Sequence, residues 1–79
     1  MYKLYVIQST TANKKYIGVA TDEIVRLSQH NNKQVRSTKF YAPWKLIHTE
    51  EYQTKTEALQ REYELKHNSW KKKELFDKL

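Results

Sequence analysis

Tyr2-Lys3-Leu4-Tyr5-Val6-Ile7-Gln8, followed shortly by Lys15-Tyr16-Ile17-Gly18-Val19, is the stretch on which the fold turns. Both runs are aromatic and β-branched, the composition of strands. Ser9 to Lys14 between them is polar and reads as a turn. So short a connection predicts an antiparallel hairpin. With Tyr5 set opposite Tyr16, the loop closes with about four residues, a common hairpin length. Directly opposed residues share a face, so that register puts the two phenols side by side. Gly18 is the chain's single glycine. Inside a strand, a glycine marks a twist point, a bulge or a close approach by another group.

Working outward, Thr21 reads as a helix cap, with Asp22 and Glu23 in the first turn where negative charge suits the dipole. The helix is predicted to run to about Asn31, with Ile24 and Leu27 facing the core. Arg26 and His30 are spaced i, i+4 and share a different face. Asn32 to Ala42 is polar and basic and reads as a loop ended by Pro43. Trp44 to Tyr52 is predicted as a third strand, with Trp44, Leu46 and His48 on one side. Thr54-Lys55-Thr56-Glu57 fits the capping box and opens a helix over about Lys55 to Lys66. His67-Asn68 interrupts it, and Ser69 is placed to cap a last helix from Trp70 to about Lys78. The order ββαβαα predicts an α+β domain with a small antiparallel sheet against helices. No internal repeat or low-complexity tract divides the chain, so residues 1–79 are expected to form a single domain.

A chain of 79 residues has a small core, and the absence of cysteine leaves no disulfide or thiolate zinc site to brace it. Stability must come from packing, to which six tyrosines, two tryptophans and two phenylalanines contribute. A formal net charge of +6 and a pI near 9.6 favour polyanionic partners. No apolar run approaches the roughly 20 residues needed to span a bilayer, and no secretory leader opens the chain. A cytoplasmic protein with no membrane partner is expected.

Taken singly, each chemical residue has an ordinary reading. Strand tyrosines pack their rings and wet their hydroxyls. Arg26 and His30 suit an exposed helix face. Glu62 suits a solvated charge or an i, i+4 partner of Lys66. Trp70-Lys71-Lys72-Lys73 suits a solvated helix face. The chemical readings are sharper. A guanidinium matches phosphate oxygens and can offset charge in a phosphoryl transition state. A histidine titrates near neutrality. A phenol has an ordinary pKa near 10 and needs cationic neighbours before it handles a proton. Magnesium commonly takes only one or two carboxylates. The basic clusters Lys33, Arg36 and Lys39, and Lys71, Lys72 and Lys73, would contact a nucleic-acid backbone without reading sequence.

Together these positions resemble the GIY-YIG nuclease superfamily, and in particular its small stand-alone bacterial members. The matching stretch is Tyr16-Ile17-Gly18, Asp22, Arg26-Leu27 and His30-Asn31. Further matches are Ser37-Thr38-Lys39, Pro43-Trp44-Lys45-Leu46 and Thr54-Lys55-Thr56-Glu57-Ala58-Leu59 with Arg61-Glu62. The similarity runs from about Tyr2 to Leu75. It implies a central three-stranded antiparallel sheet between helices, and hydrolysis of DNA phosphodiesters with Mg²⁺ or Mn²⁺, in structure- or damage-related DNA processing. It implies Tyr5, Tyr16, Arg26, His30 and Glu62 as catalytic candidates, Glu62 being the metal ligand. Several positions depart from the family pattern: Lys3 and Leu4 in the first signature, then Val19, Ala20 and Val25. A chain this small is expected to act as a monomer or weak homodimer with low sequence specificity. The alternative is a nucleic-acid-binding module that uses the same basic surface without turnover.

Overall fold

The computed structural model describes all of residues 1–79. Its elements are β1 (Tyr2–Ser9), β2 (Lys15–Ala20), α1 (Glu23–Asn31), a single turn of 3-10 helix (Lys39–Tyr41), β3 (Trp44–Tyr52), α2 (Lys55–His67) and α3 (Ser69–Asp77). The three strands form one antiparallel sheet in the order β2-β1-β3. This is the expected ββαβαα arrangement, and the strand and helix spans agree with the sequence reading to within about two residues.

The central strand explains the unbroken run Leu4 to Ile7, since all four residues are buried. Leu4 and Val6 pack with Ile17, Leu65 and Leu75, on the side covered by α2 and α3. Tyr5 and Ile7 pack with Trp44, Leu27 and Leu46, on the side of α1. A strand covered on both faces has no reason to alternate. Each leucine or isoleucine buried this way contributes about 1.5–3 kcal/mol relative to exposure.

The hairpin register differs from the expected one by two residues: Tyr5 lies opposite Gly18, and Ile7 opposite Tyr16. The turn is the reason. Ser9 Oγ accepts from the backbone N–H of Thr11 and Ala12 at 3.2 and 3.0 Å, and the Ser9 N–H donates to the Lys14 carbonyl at 2.9 Å. The loop is still four residues long, 10–13, but the serine-based turn sets it one position further along the chain. A shift of two preserves parity, so both phenols still occupy one face.

Four smaller corrections have equally local causes. Asp22, not Thr21, caps α1, its carboxylate accepting from the N–H of Ile24 and Val25 at 3.0 and 3.1 Å. Ile24 is 59% exposed, and the inward line of α1 runs through Leu27 and His30 instead. Counting apolar residues misses a histidine whose ring nitrogens are satisfied inside. In β3 the pairing jumps from Val6↔His48 to Ile7↔Leu46, so Ile47 is an extra residue. That bulge moves His48 to the face of Val6, away from Trp44 and Leu46. Asn68, not Ser69, caps α3, accepting from the Lys71 N–H at 3.1 Å. Thr54 does cap α2, accepting from the Glu57 N–H at 3.2 Å while its hydroxyl donates to the Glu57 carboxylate at 2.9 Å.

Candidate active site

The site is built outward from one close contact. A Cβ added at Gly18 would fall on the hydroxyl oxygen and Cζ of Tyr5, and lie 2.9 Å from its Cε1. The Tyr5 ring thus lies directly over the β2 backbone, in space that only glycine leaves free. Of the readings open for Gly18, close approach is the one found, and the approaching group is the first tyrosine.

Tyr5 is only 1% exposed, and its hydroxyl meets His30 Nε2 at 2.9 Å. The other ring nitrogen, Nδ1, meets Thr38 Oγ1 at 2.7 Å. Thr38 donates its own proton to the Val35 carbonyl at 3.4 Å. One assignment satisfies the whole chain: Nδ1–H donates to Thr38, and the bare Nε2 accepts from Tyr5. His30 is fully buried, so it presents no atom to a substrate. Burial, aided by the nearby Arg26 charge, lowers its pKa and favours the neutral ring. Burial likewise pushes Tyr5 up to about 12, against the opposing pull of Arg26, so its phenol stays protonated near neutrality.

Around this buried chain stand the more accessible candidates. The Tyr16 ring lies 6.4 Å from that of Tyr5 and 5.0 Å from that of His30, centroid to centroid. Tyr16 is half-buried on the edge strand β2. Lys66 reaches it from α2, with Nζ 5.5 Å from the ring centroid, and meets Glu62 at 3.4 Å. The Glu62 charge is near enough to Tyr5 to raise its pKa, as Arg26 is near enough to lower it. Arg26 itself donates to Gln29 Oε1 at 2.7 Å. Five residues spread from position 5 to position 62 therefore converge where α1, α2 and the β1–β2 hairpin meet.

No group of three or more His, Cys, Asp or Glu side chains is arranged to hold a metal ion. Glu62 is a lone carboxylate whose nearest charged partner is Lys66. That donor set does not fit a metal caged by protein. It does fit a hydrated Mg²⁺ or Mn²⁺ whose other ligands are water and substrate phosphate.

The two basic clusters fare differently. Lys71 and Lys73 are paired, to Glu64 at 3.3 Å and Asp77 at 3.5 Å. Lys72 lines a small cleft beside Tyr16 with Lys15, Lys66 and Phe76. Lys33, Arg36 and Lys39 make no ion pair.

Away from the site, Glu50 gathers a network the sequence reading did not foresee. It accepts from Arg61 Nε at 2.9 Å, Tyr52 at 2.6 Å and His48 Nε2 at 2.8 Å. Burial pushes its carboxyl up, but these donors outweigh it and hold it at about 2. Two of the donors, His48 and Tyr52, flank Glu50 at i−2 and i+2 on one face of β3, and the bulge at Ile47 turns that face toward the side of Val6 and Leu4. Thr38 was also missed as a functional side chain: it lies in a stretch matched by family resemblance, but its partner sits on another element. Two departures from the family pattern have local roles: Lys3 bridges Glu23 and Glu51 at 3.2 and 3.4 Å, and Ala20 packs against the cluster of Tyr5, Ile7 and Trp44.

The model of the GIY-YIG catalytic domain matches residues 1–74, which span the whole sheet, α1 and α2. The chain belongs to this family, a superfamily of nucleases. Among its relatives is a UPF0213 protein of Staphylococcus epidermidis, 48% identical over 52 residues, which cover 65% of this chain and 63% of that protein. The matched stretch is thus less than two thirds of that relative's length. A UPF0213 protein of Staphylococcus aureus is 38% identical over 71 residues, covering 89% of this chain and 85% of the relative. The solution NMR structure of a UPF0213 protein from Bacillus halodurans superposes with a TM-score of 0.58 at 31% identity, covering 99% of this chain and 84% of that one. No helix is long and apolar enough to cross a membrane.

Proposed function

We propose that the chain is a divalent-metal-dependent endonuclease that hydrolyses DNA phosphodiester bonds, in structure- or damage-related DNA processing, and that residues 1–79 act as one catalytic domain. The observation that carries this reading is geometric: the Tyr5 and Tyr16 rings lie 6.4 Å apart, and Lys66 links them to Glu62, its Nζ 5.5 Å from the Tyr16 ring centroid and 3.4 Å from the Glu62 carboxylate.

Glu62 is the side chain that would hold Mg²⁺ or Mn²⁺; when bound, the ion supplies Lewis-acid stabilisation of charge on the phosphate and leaving oxygens. Arg26 binds the phosphate through its planar donor fork and offsets charge on the phosphoryl group as water attacks. Tyr16 is the more accessible phenol and orients the attacking water. Tyr5 and His30 are positioning residues in this scheme. The Tyr5 proton is committed to His30 Nε2, which leaves the phenol oxygen as an acceptor facing the Arg26 side. Thr38 fixes the tautomer, and with it the direction of that bond. Lys66 neutralises Glu62 while no cation is present and can turn to a substrate phosphate afterwards.

The test is nicking of supercoiled plasmid and of a branched DNA, with Mg²⁺, with Mn²⁺ and with chelator. Cleavage should require the cation and fall at least about 100-fold in Glu62→Ala and Arg26→Ala, in line with removal of a single group that stabilises transition-state charge. Salt-sensitive DNA retention that ignores the cation, with no nicking by the unmodified chain, would replace the enzyme with a binding module.

A further inference from the structure

Residues 24–49 contain five Lys or Arg and no Asp or Glu, so most of the chain's excess positive charge lies in this one segment. Lys33, Arg36 and Lys39 lie within seven residues of one another there and have no ion-pair partner. Among these free cations stands Phe40, 79% exposed, the most exposed of the large hydrophobic side chains.

Phe40 is held out by construction. On one side, Thr38 is buried: its hydroxyl meets His30, and its carbonyl accepts from the Trp44 indole N–H at 2.9 Å. On the other, the Tyr41 carbonyl accepts from Ser9 Oγ at 2.6 Å. The backbone between is tightened by the Tyr41 N–H donating to the Thr38 carbonyl at 3.1 Å. A single 3-10 turn pinned at both ends leaves its middle residue no route inward. The ring carries a cation with it, Lys39 Nζ lying 5.0 Å from its centroid. Beside it, Val35, Arg36, Ser37 and Lys39 line an open groove of about 690 Å³.

We propose that Phe40 is a stacking platform for an unpaired nucleobase, with Arg36 and Lys39 holding the flanking phosphates. An aromatic ring stacks on any base, and cations beside it track the backbone, which is how single strands are bound without sequence preference. A fully paired duplex offers no free base face, so the platform selects bulged, frayed or single-stranded substrate. The same turn carries Thr38, whose hydroxyl orients His30 and through it Tyr5, so the platform is mechanically continuous with the candidate active site. The inference rests on the nucleic-acid reading above.

The test is equilibrium binding, in chelator so that cleavage plays no part, of a single-stranded oligonucleotide carrying 2-aminopurine and of a fully paired blunt-ended duplex of matched length. Phe40→Ala should weaken the single strand about 5- to 100-fold, as expected for loss of one base–aromatic stack, and change the duplex less than about 2-fold. Phe40→Trp should restore affinity and quench the 2-aminopurine on binding. Circular dichroism checks that each variant is folded, as substitution of so exposed a side chain predicts. Equal affinity of Phe40→Ala and the unmodified chain for the single strand would overturn the platform, as would equal losses on both probes. If the unmodified chain nicks plasmid while Phe40→Ala binds normally, the platform fails and the nuclease stands. If the unmodified chain binds neither probe, the platform fails, and the nicking assay alone decides the nuclease.

Discussion

Gly18→Ala is the smallest change that should disturb the site. The added methyl falls on the outer end of the Tyr5 ring, which is 1% exposed and tied to His30 at 2.9 Å. The ring cannot swing into solvent without emptying its place beside Ile7 and Trp44. Overpacking of this kind costs about 1–3 kcal/mol. A displaced phenol also leaves His30 Nε2 without its donor, adding about 1 kcal/mol or more. The expected loss is about 2–4 kcal/mol, a large share of the roughly 4–12 kcal/mol available to a domain of this length. That corresponds to a melting temperature lowered by about 10–25 °C. Urea unfolding followed by circular dichroism reads the loss directly. Pairing the variant with Tyr5→Leu removes the clashing ring and should recover at least about 1 kcal/mol as a coupling energy. Pairing it with Tyr5→Phe should recover little, because Cζ and Cε1 still collide. A stability change below about 0.5 kcal/mol for Gly18→Ala alone would refute the close-contact account.

Three further outcomes are expected. His30→Leu keeps most of the volume but leaves the Tyr5 hydroxyl without its acceptor and the Thr38 oxygen without its donor, so it should cost about 2–4 kcal/mol, and His30→Leu with Tyr5→Phe should cost less than the sum of the two; strict additivity would contradict the chain of hydrogen bonds. Glu50 is held at about 2 against an ordinary 4.5, so its stabilisation, on the order of 3 kcal/mol at most, is complete above pH 4.5 and disappears as the pH falls through 2; urea midpoints measured from pH 7 downward should show that slope, and Glu50→Gln should flatten it. Asp22→Ala should cost about 1 kcal/mol as a lost cap and Thr21→Ala a few tenths at most, a ranking that thermal melts can reverse only if Thr21 is the cap after all.

The sheet was legible because β1 is buried on both faces and its composition says so residue by residue. The helices were legible from their caps and breaks, though the capping residue itself was misplaced by one at α1 and α3, where two competent side chains stand in a row. What the sequence hid was direction. The bulge at Ile47 and the inward line of α1 depend on contacts between distant segments, whereas the turn's use of Ser9 is local but is one of several turns that a polar run of this length allows. The candidate residues were legible mainly as a set: Tyr5, Tyr16, Arg26, His30 and Glu62 are individually commonplace, and their meeting is a property of topology. The division of labour among them was not legible at all. Periodicity presents His30 as a surface partner of Arg26, whereas its role follows from burial, two saturated nitrogens and a threonine eight residues further on.

The account's central claim, a cation site at Glu62 beside the paired tyrosines, is met most directly by titrating Mn²⁺ into the isotope-labelled protein with a short DNA and following paramagnetic broadening by NMR, with Mg²⁺ as the diamagnetic control. Signals of Glu62, Lys66, Tyr16 and Gly18 should broaden first, and Glu62→Ala should remove the effect. Broadening that begins instead around Glu64 and Glu74, or that survives the loss of Glu62, would contradict it.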